Sequence, residues 1–254
     1  GRYLLQRNIT LLLSDQEREN LLPSKRDQFI LDIAAQGASW LNASPNTYYT
    51  TFPDPFWKAA IQHFLDLPLR AHTTACVCGE DLTRPHSQDH IQSCTLTKSK
   101  TLIKRHDQVN YTCLAWASSH GLPSIAETSP GCFTDQDRKR PDGSILCPSN
   151  ANLIIMDITI AHPTTISNIR SAKHDASLRS AEAAKIKKYK HLAIQEESTF
   201  LPLAISSFGH FSDSALKLVQ LLATEAALQT GENKSILAKD LKRHILCSLM
   251  KGNA

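Results

Sequence analysis

The stretch Asn152-Leu153-Ile154-Ile155-Met156-Asp157-Ile158-Thr159-Ile160 decides the fold, because it is an almost continuous apolar run with one carboxylate inside it. Such a run predicts a central β-strand that is buried on both of its faces. A carboxylate in this setting is costly unless it is paired with a positive group or bound to a cation. Asp157 is therefore the first candidate functional residue.

A second carboxylate lies on the other side of a predicted hairpin. The motif Arg140-Pro141-Asp142-Gly143 precedes a short predicted strand over 144–147 and a turn over 148–150. If the two strands pair antiparallel, Asp142 and Asp157 come within reach of one hard cation. Mg²⁺ prefers carboxylate oxygens and activates water for phosphodiester hydrolysis, so the pair predicts a magnesium-dependent phosphodiesterase site.

A lysine-rich helix predicted over 177–195 follows the hairpin. Lys185 and Lys188 are three positions apart and therefore lie on one side of it. An ammonium beside the carboxylates would orient or deprotonate the water, or stabilise charge in the transition state. The alternative is a solvated lysine-rich surface, and the sequence does not choose between the two lysines.

A cluster of cysteine and histidine residues predicts a zinc site over 71–100. The proposed ligands are Cys76, Cys78, His90 and Cys94, with His86 as an alternative to His90. Zinc takes four tetrahedral nitrogen or sulfur ligands, and two short pairs separated by a loop supply them. With four protein ligands the site would be closed and structural. The alternative is an unrelated set of cysteines and histidines in a polar loop.

The composition sets limits on the class of protein. The chain has 254 residues, of which 41% are hydrophobic and 20% charged, so it is globular. A net charge of +4 permits a polyanionic partner without demanding one. No apolar run is long enough for a membrane span. Seven cysteines, three of them near histidines, favour a reducing compartment over a disulfide framework. The first residues include neither a methionine nor a signal pattern, so we expect a fragment or a processed product.

Several motifs resemble the restriction-like endonuclease, of the PD-(D/E)XK nuclease class, at the C-terminal end of some site-specific non-LTR retrotransposon polyproteins. The central ones are Arg140-Pro141-Asp142, Asp157-Ile158-Thr159 and Lys185-x-x-Lys188-Tyr189. The flanking ones occur in the same order as in those polyproteins and are Gly37-Ala38-Ser39-Trp40-Leu41, Leu67-Pro68-Leu69, the Cys/His cluster, Arg105-His106-Asp107, Phe200-Leu201-Pro202 and Phe208-Gly209. The resemblance covers about residues 36–215.

The resemblance implies an α/β (α+β) fold with a small mixed sheet flanked by helices. It divides the chain into a helical connector over 1–70, a CCHC-type zinc knuckle over 71–100 and an endonuclease domain over 101–254. Thr159 stands where the class usually has a lysine, and in this subfamily that lysine is found on the following helix. This change fits Lys185 or Lys188.

The same resemblance implies the function. Asp142 and Asp157 would bind Mg²⁺, and Zn²⁺ in the knuckle would help to hold nucleic acid. Nucleic acid would be contacted by Arg105, His106 and Arg140. The alternative for Arg105-His106-Asp107 is a brace behind the site or a solvated helix start. The chain would nick target DNA in the nucleus and work with the element's RNA and an upstream reverse transcriptase.

The sequence argues against polymerase activity and leaves one alternative function open. No Asp-Asp pair occurs anywhere in the chain, so the usual polymerase palm motif is missing and we expect no polymerase activity in these residues. The alternative function is a zinc-stabilised, nucleic-acid-binding remnant of such a polyprotein whose nuclease is catalytically silent.

Overall fold

The computed structural model describes residue 35 and residues 37–65, 74–83, 87–126, 140–164, 176–195 and 197–253. The helices are α1 (Asp54–Phe64), α2 (Ser87–Ser93), α3 (Thr95–Ser119), α4 (Ala176–Gln195), α5 (Asp213–Thr230) and α6 (Lys234–Asn253), with a 3₁₀ helix over Ala38–Asn42. The strands are β1 (Ser124–Ala126), β2 (Gly143–Cys147), β3 (Asn152–Ala161) and β4 (Thr199–Ser206). His86 and the motif Leu67-Pro68-Leu69 lie outside the described residues.

The four strands form one mixed sheet in the order β1-β2-β3-β4. The β1–β2 and β2–β3 pairs are antiparallel, and the β3–β4 pair is parallel. Helix α4 makes the crossover that a parallel pair requires. Pro202 is tolerated in β4 because this strand forms the edge of the sheet, where one side needs no ladder hydrogen bonds. The predicted small mixed sheet flanked by helices is confirmed.

Strand β3 is covered on both faces, as its apolar run predicts. Ile154, Met156 and Ile158 belong to the main hydrophobic core, together with residues of α3, α5 and α6. Because side chains alternate along a strand, Ile155 and Asp157 point to the opposite face. Helix α4 covers that face and contacts both β3 and β4. Asp157 is therefore buried beneath α4.

Residues 37–65 pack into the same core as the sheet. Trp40, Phe52, Trp57 and Phe64 form an aromatic cluster with ring centroids 5.2–5.7 Å apart. The 3₁₀ helix and α1 both contact α6. The predicted connector over 1–70 is thus joined to the sheet by a shared core wherever the structure describes it.

Helix α3 begins earlier than the sequence indicates. A start at Lys104 follows from the apolar periodicity, whereas the helix begins at Thr95. The reason is that residues 95–101 are rich in Thr, Ser and Lys and so carry no apolar periodicity. The helix therefore crosses the predicted boundary at residue 100 and connects the Cys/His cluster directly to the core.

Two motifs of the resemblance meet in space at glycines. A Cβ on Gly37 would overlap the carbonyl oxygen of Phe208 and the backbone of Gly209. Gly209 has a φ of 92°, a left-handed conformation that favours glycine. Close backbone contact at this point requires the absence of side chains, and it fixes residues 37–41 against the loop that follows β4.

Candidate active site and metal centre

The β2–β3 hairpin brings the two candidate carboxylates together. Its ladder pairs Gly143 with Met156, so the next position along the ladder places Asp142 opposite Asp157. Asp142 Oδ2 accepts a hydrogen bond of 2.6 Å from the backbone N–H of Ile158, the neighbour of Asp157. The charge of Asp142 also raises the pKa of Asp157. The antiparallel hairpin expected from the sequence is present, and its two carboxylates interact.

Asp157 is the most buried charged group of this site, with 2% of the residue exposed. Burial is the largest cause that raises its pKa, and the charge of Asp142 adds to it. Lys185 and the Tyr189 hydroxyl both oppose the shift by pairing with the carboxylate. Two carboxylates that lie close together, one of them buried, favour the binding of a cation in addition to the Lys185 ammonium. This donor set of carboxylate oxygens fits Mg²⁺.

Helix α4 presents one of the two candidate lysines directly to the site. Lys185 Nζ forms an ion pair with Asp157 Oδ2. Lys188 is more remote, because its Nζ donates to the Tyr189 hydroxyl at 2.6 Å and does not contact either carboxylate in the described structure. Lys185 and Tyr189 are four positions apart, so both lie on the buried face of the helix. The geometry distinguishes two lysines that the sequence leaves equivalent.

Tyr189 is a site residue to which the sequence assigns no role. It is 1% exposed, and its hydroxyl also donates to the Arg140 carbonyl oxygen at 3.0 Å. The hydroxyl thereby connects α4 to the start of the hairpin. Its position four residues after Lys185 could have indicated this role, because it places the Tyr189 hydroxyl on the same face of the helix as the lysine.

His106 on α3 contacts Asp142. Its Nε2 lies 2.9 Å from Asp142 Oδ2, and its Nδ1 lies 3.1 Å from Asp107 Oδ1. The hydrogen bond with Asp142 is the largest cause that raises the pKa of His106 to about 9, and burial partly opposes it. The imidazole is therefore protonated at neutral pH. Asn110, one turn later, donates to the Asp142 backbone carbonyl at 2.8 Å and holds the hairpin.

Arg105 and Arg140 occupy different surroundings from His106. Arg105 is 4% exposed, and its Nη1 donates to Gln92 and, at 2.6 Å, to Asn253 Oδ1. Successive helical residues point about 100° apart, so Arg105 faces α6 while His106 faces the hairpin. This arrangement fits the brace considered for Arg105 and not a phosphate contact. Arg140 is exposed at the start of the hairpin.

The four expected zinc ligands converge. One ligand atom from each of Cys76, Cys78, His90 and Cys94 lies within 4.8 Å of the others. The two sulfurs of Cys76 and Cys94 are 3.7 Å apart. Zinc–sulfur bonds of about 2.3 Å at the tetrahedral angle separate two sulfurs by roughly 3.8 Å, so the spacing fits zinc. These residues could hold a metal ion.

The backbone explains how the unusual C-x-C spacing works. The N–H of Gly79 bonds the Cys76 carbonyl, and the N–H of Cys76 bonds the Glu80 carbonyl, each at 2.8 Å. Gly79 has a φ of 92°, which a tight turn of this kind requires. His90 lies on α2, and Cys94 stands at the N-cap of α3.

The remaining described cysteines are structural. Cys113, Cys147 and Cys247 are buried and free. Burial raises the pKa of these thiols to about 12, 11 and 12. They stay protonated at neutral pH and therefore differ from the metal cluster, whose thiols would bind as thiolates.

Hydrogen bonds attach the Cys/His cluster to the loops that follow β3 and β4 and to α3. Asp89, next to His90, bonds His162 Nε2 at 2.9 Å, and the other ring nitrogen of His162 bonds Ser207 Oγ at 2.8 Å. Gln92 bonds the buried Arg105. The cluster is consequently attached to the loop after β3 and to α3.

No protein-family model matches the chain, and no curated protein matches it in sequence. Among the described helices, none is both long and apolar enough to cross a membrane. The functional assignment therefore rests on the arrangement of residues at the carboxylate pair and the Cys/His cluster.

Proposed function

We propose that this chain is a Mg²⁺-dependent DNA endonuclease with Asp142, Asp157 and Lys185 at its active site. The observation that carries the proposal is the buried carboxylate of Asp157, which lies opposite Asp142 and in contact with Lys185. Structural carboxylates are rarely placed together in a buried position, because each raises the cost of ionising the other. A bound divalent cation would offset the cost of ionising the two carboxylates.

The residues have separate roles in hydrolysis. Asp142 and Asp157 would hold Mg²⁺, which lowers the pKa of bound water and neutralises charge on the phosphate. Lys185 would orient the attacking water or stabilise negative charge on the non-bridging oxygens. Tyr189 holds α4 against the start of the hairpin through the bond of its hydroxyl to the Arg140 carbonyl. These functions need a fixed geometry, which the buried face of α4 supplies.

His106 has a second role beside the acids. As an imidazolium it partly neutralises Asp142 and places positive charge at the mouth of the site. Its side chain is 28% exposed, so its positive charge can attract a substrate phosphate while both ring nitrogens stay bonded to Asp107 and Asp142. We propose that His106 and the exposed Arg140 position the DNA backbone, while Arg105 braces α3 from within.

For the Cys/His cluster we propose structural Zn²⁺. All four positions are occupied by protein side chains, so the metal would fold the segment over 74–94 and would not act on substrate. Its attachment to α3 would keep the knuckle beside the nuclease site, where it would assist nucleic-acid binding.

The biological context is proposed from the resemblance. We propose that the chain is the endonuclease part of a site-specific non-LTR retrotransposon polyprotein. It would nick target DNA in the nucleus for insertion, in association with the element's RNA and an upstream reverse transcriptase. The mixed sheet and the contact of the Gly37 and Gly209 motifs support this assignment.

The second candidate is a catalytically silent nucleic-acid-binding remnant. The observation that favours it is the Lys185–Asp157 ion pair itself, because an ammonium already neutralises part of the charge that would hold the cation. Thr159, in place of the usual lysine, points the same way.

A nicking assay separates the two candidates. Supercoiled plasmid is incubated with the wild-type chain and Mg²⁺, and the rate of open-circle formation is compared with that of Asp157→Asn. We expect a loss of about 10²-fold or more for Asp157→Asn, whereas Asp213→Asn, at an exposed carboxylate on α5, should retain wild-type activity. Wild-type protein without nicking activity would support the silent remnant, and nicking that survives Asp157→Asn would refute the assigned site.

A further inference from the structure

A cleft of about 900 Å³ lies along α3 close to His106, since both sequence neighbours of His106, Arg105 and Asp107, line it. Its walls are the segment over 48–56, one face of α3 and the end of α6. This volume is near the upper end of the range for sites that enclose small ligands. Neither the metal cluster nor the carboxylate site uses it.

The walls of the cleft carry aromatic side chains that face solvent. Tyr48 is 81% exposed, Tyr111 is 57% exposed and Phe56 is 46% exposed. Ile103, on the same face of α3 as Tyr111, is 55% exposed. Exposed apolar groups that are grouped in a concave surface mark an interaction site, in contrast to single exposed residues. The geometry therefore indicates a ligand with flat, apolar faces.

The charges of the cleft favour an anion. Two lysines, Lys104 and Lys251, line it against the single acid Asp107. Arg105 also lines the cleft, but its guanidinium is buried and bonds Gln92 and Asn253. Lys251 also fixes one wall, since its Nζ donates to the carbonyl oxygens of Tyr48 and Tyr49 at 2.6 and 2.9 Å. The Tyr48 segment is thereby held in place before any ligand binds, which reduces the entropy lost on binding.

Helix α3 contributes residues both to the cleft and to the proposed nuclease site. Asp107 lines the cleft and bonds His106 Nδ1, and His106 Nε2 bonds Asp142. Adjacent residues of α3 thus face the cleft and the carboxylates. A DNA strand with its reactive phosphate at Asp142 and Asp157 would have its neighbouring nucleotides beside this cleft.

We propose that the cleft binds unpaired nucleotides next to the cleaved phosphodiester, with bases stacked on Tyr111 and Tyr48 and a phosphate near Lys104. The inference rests on the proposed endonuclease function and defines its substrate further. A base inside a duplex exposes only its edges, so stacking on a tyrosine ring requires a single-stranded segment. The preferred substrate is therefore DNA with an unpaired stretch beside the cut.

Binding of short DNA without Mg²⁺ tests the cleft separately from cleavage. The full chain is titrated into a fluorescein-labelled 12-nucleotide oligo-dT and into a blunt duplex of the same length, and anisotropy gives the two dissociation constants. We expect the single strand to bind more tightly. Tyr111→Ala should weaken single-strand binding by about 5- to 150-fold, the range for loss of one stacked base, while Tyr111→Phe should stay close to wild type.

Matched variants control for surface effects. Lys104→Ala should weaken oligo-dT binding and lower its salt dependence by roughly one phosphate contact, whereas Lys239→Ala, at an exposed lysine on α6, should not. Leu228→Ala removes an exposed apolar side chain on α5, away from the cleft, and should have no effect.

The possible outcomes separate the two proposals. Oligo-dT binding that depends on Tyr111, in a chain that nicks nothing, supports the cleft and leaves only the endonuclease refuted. Equal affinity for the blunt duplex, or Tyr111→Ala binding like wild type, would overturn the cleft as a nucleotide site even if nicking occurs. Wild-type binding of oligo-dT by Tyr111→Ala is also the result expected if a protein partner occupies the cleft.

Discussion

Lys185 forms an ion pair with Asp157, a residue that is 2% exposed and that also interacts with the charge of Asp142. This contact assigns different roles to two lysines that lie on the same helix. One ammonium reaches a buried carboxylate, while that of Lys188 donates to the Tyr189 hydroxyl and contacts neither carboxylate among the described residues. The consequences of this difference can be measured.

Replacement of each lysine by methionine tests the assignment. Lys185→Met should lower the nicking rate by about 10²-fold or more, because it removes a positive charge beside the reacting phosphate. Lys188→Met should have a smaller effect, through the orientation of Tyr189. Lys187→Met, at an exposed position on the same helix, serves as the control. Equal losses in Lys185→Met and Lys187→Met would indicate a general electrostatic contribution of the helix and contradict a specific role.

Tyr189→Phe should destabilise the fold without opening a cavity. The substitution removes a buried hydroxyl that donates to the Arg140 carbonyl. We expect a decrease of about 1 kcal/mol in the free energy of unfolding, measured by urea denaturation, since one hydrogen bond is lost in the interior. Tyr111→Phe, at an exposed ring, should leave it unchanged. A Tyr189→Phe chain as stable as wild type would show that the hydroxyl does not hold α4 to the hairpin.

The His106–Asp142 pair predicts a pH dependence of stability. The pKa of His106 is raised to about 9 by its hydrogen bond with Asp142, against an unfolded value near 6.5. The folded state therefore binds the proton more tightly, and the pair contributes fully below about pH 6.5 and loses its contribution as pH rises through about 9. In the absence of Mg²⁺, the stability difference between wild type and His106→Gln should shrink over this range.

Titration of His106 by NMR provides a direct check of the same relationship. We expect a pKa near 9 in the metal-free chain and a lower value when Mg²⁺ is added, because a cation at Asp142 repels the imidazolium. His191→Gln, at an exposed position on α4, identifies an unrelated resonance. A His106 pKa near 6.5 would mean that the ion pair does not form in solution.

Metal content tests the Cys/His cluster. The purified chain should contain about one equivalent of Zn²⁺, and Cys94→Ser should lose it and unfold at a lower temperature, because structural zinc contributes directly to folding. Cys247→Ala removes a buried thiol of the core and should keep the metal even if it lowers stability. Zinc that remains bound in Cys94→Ser at full stoichiometry would show that another residue is the ligand.

The sequence predicted those features that depend on local periodicity and residue chemistry. The apolar run around Asp157 is sufficient to predict a buried strand, and Asp142 lies opposite Asp157 in the predicted hairpin. Ser212 and Asp213 are typical of a helix start, and the Oγ of Ser212 accepts a hydrogen bond from the Ala215 N–H at the N-cap of α5. The spacing of Cys76, Cys78, His90 and Cys94 was sufficient to identify a cluster that could hold a metal.

Other features depend on contacts between distant segments and had no local signal. Arg105 and His106 are adjacent basic residues, and the sequence does not show which of them is buried. The packing of α3 against α6 decides it. Tyr189 acquires its role from the bond of its hydroxyl to the Arg140 carbonyl. The first turns of α3, from Thr95, carry no apolar periodicity that would mark them as helical. The cleft beside Tyr111 is formed by three segments that are far apart in sequence, so no single pattern reveals it.

The central claim is that Asp142 and Asp157 together bind one catalytic cation. Crystals grown with Mn²⁺, which takes the same oxygen ligands as Mg²⁺, allow the ion to be located by anomalous diffraction. The account predicts one peak with oxygens of both carboxylates at roughly 2.1 Å. A structure in which no ion binds there at millimolar Mn²⁺, or in which the ion contacts only one of the two carboxylates, would contradict it.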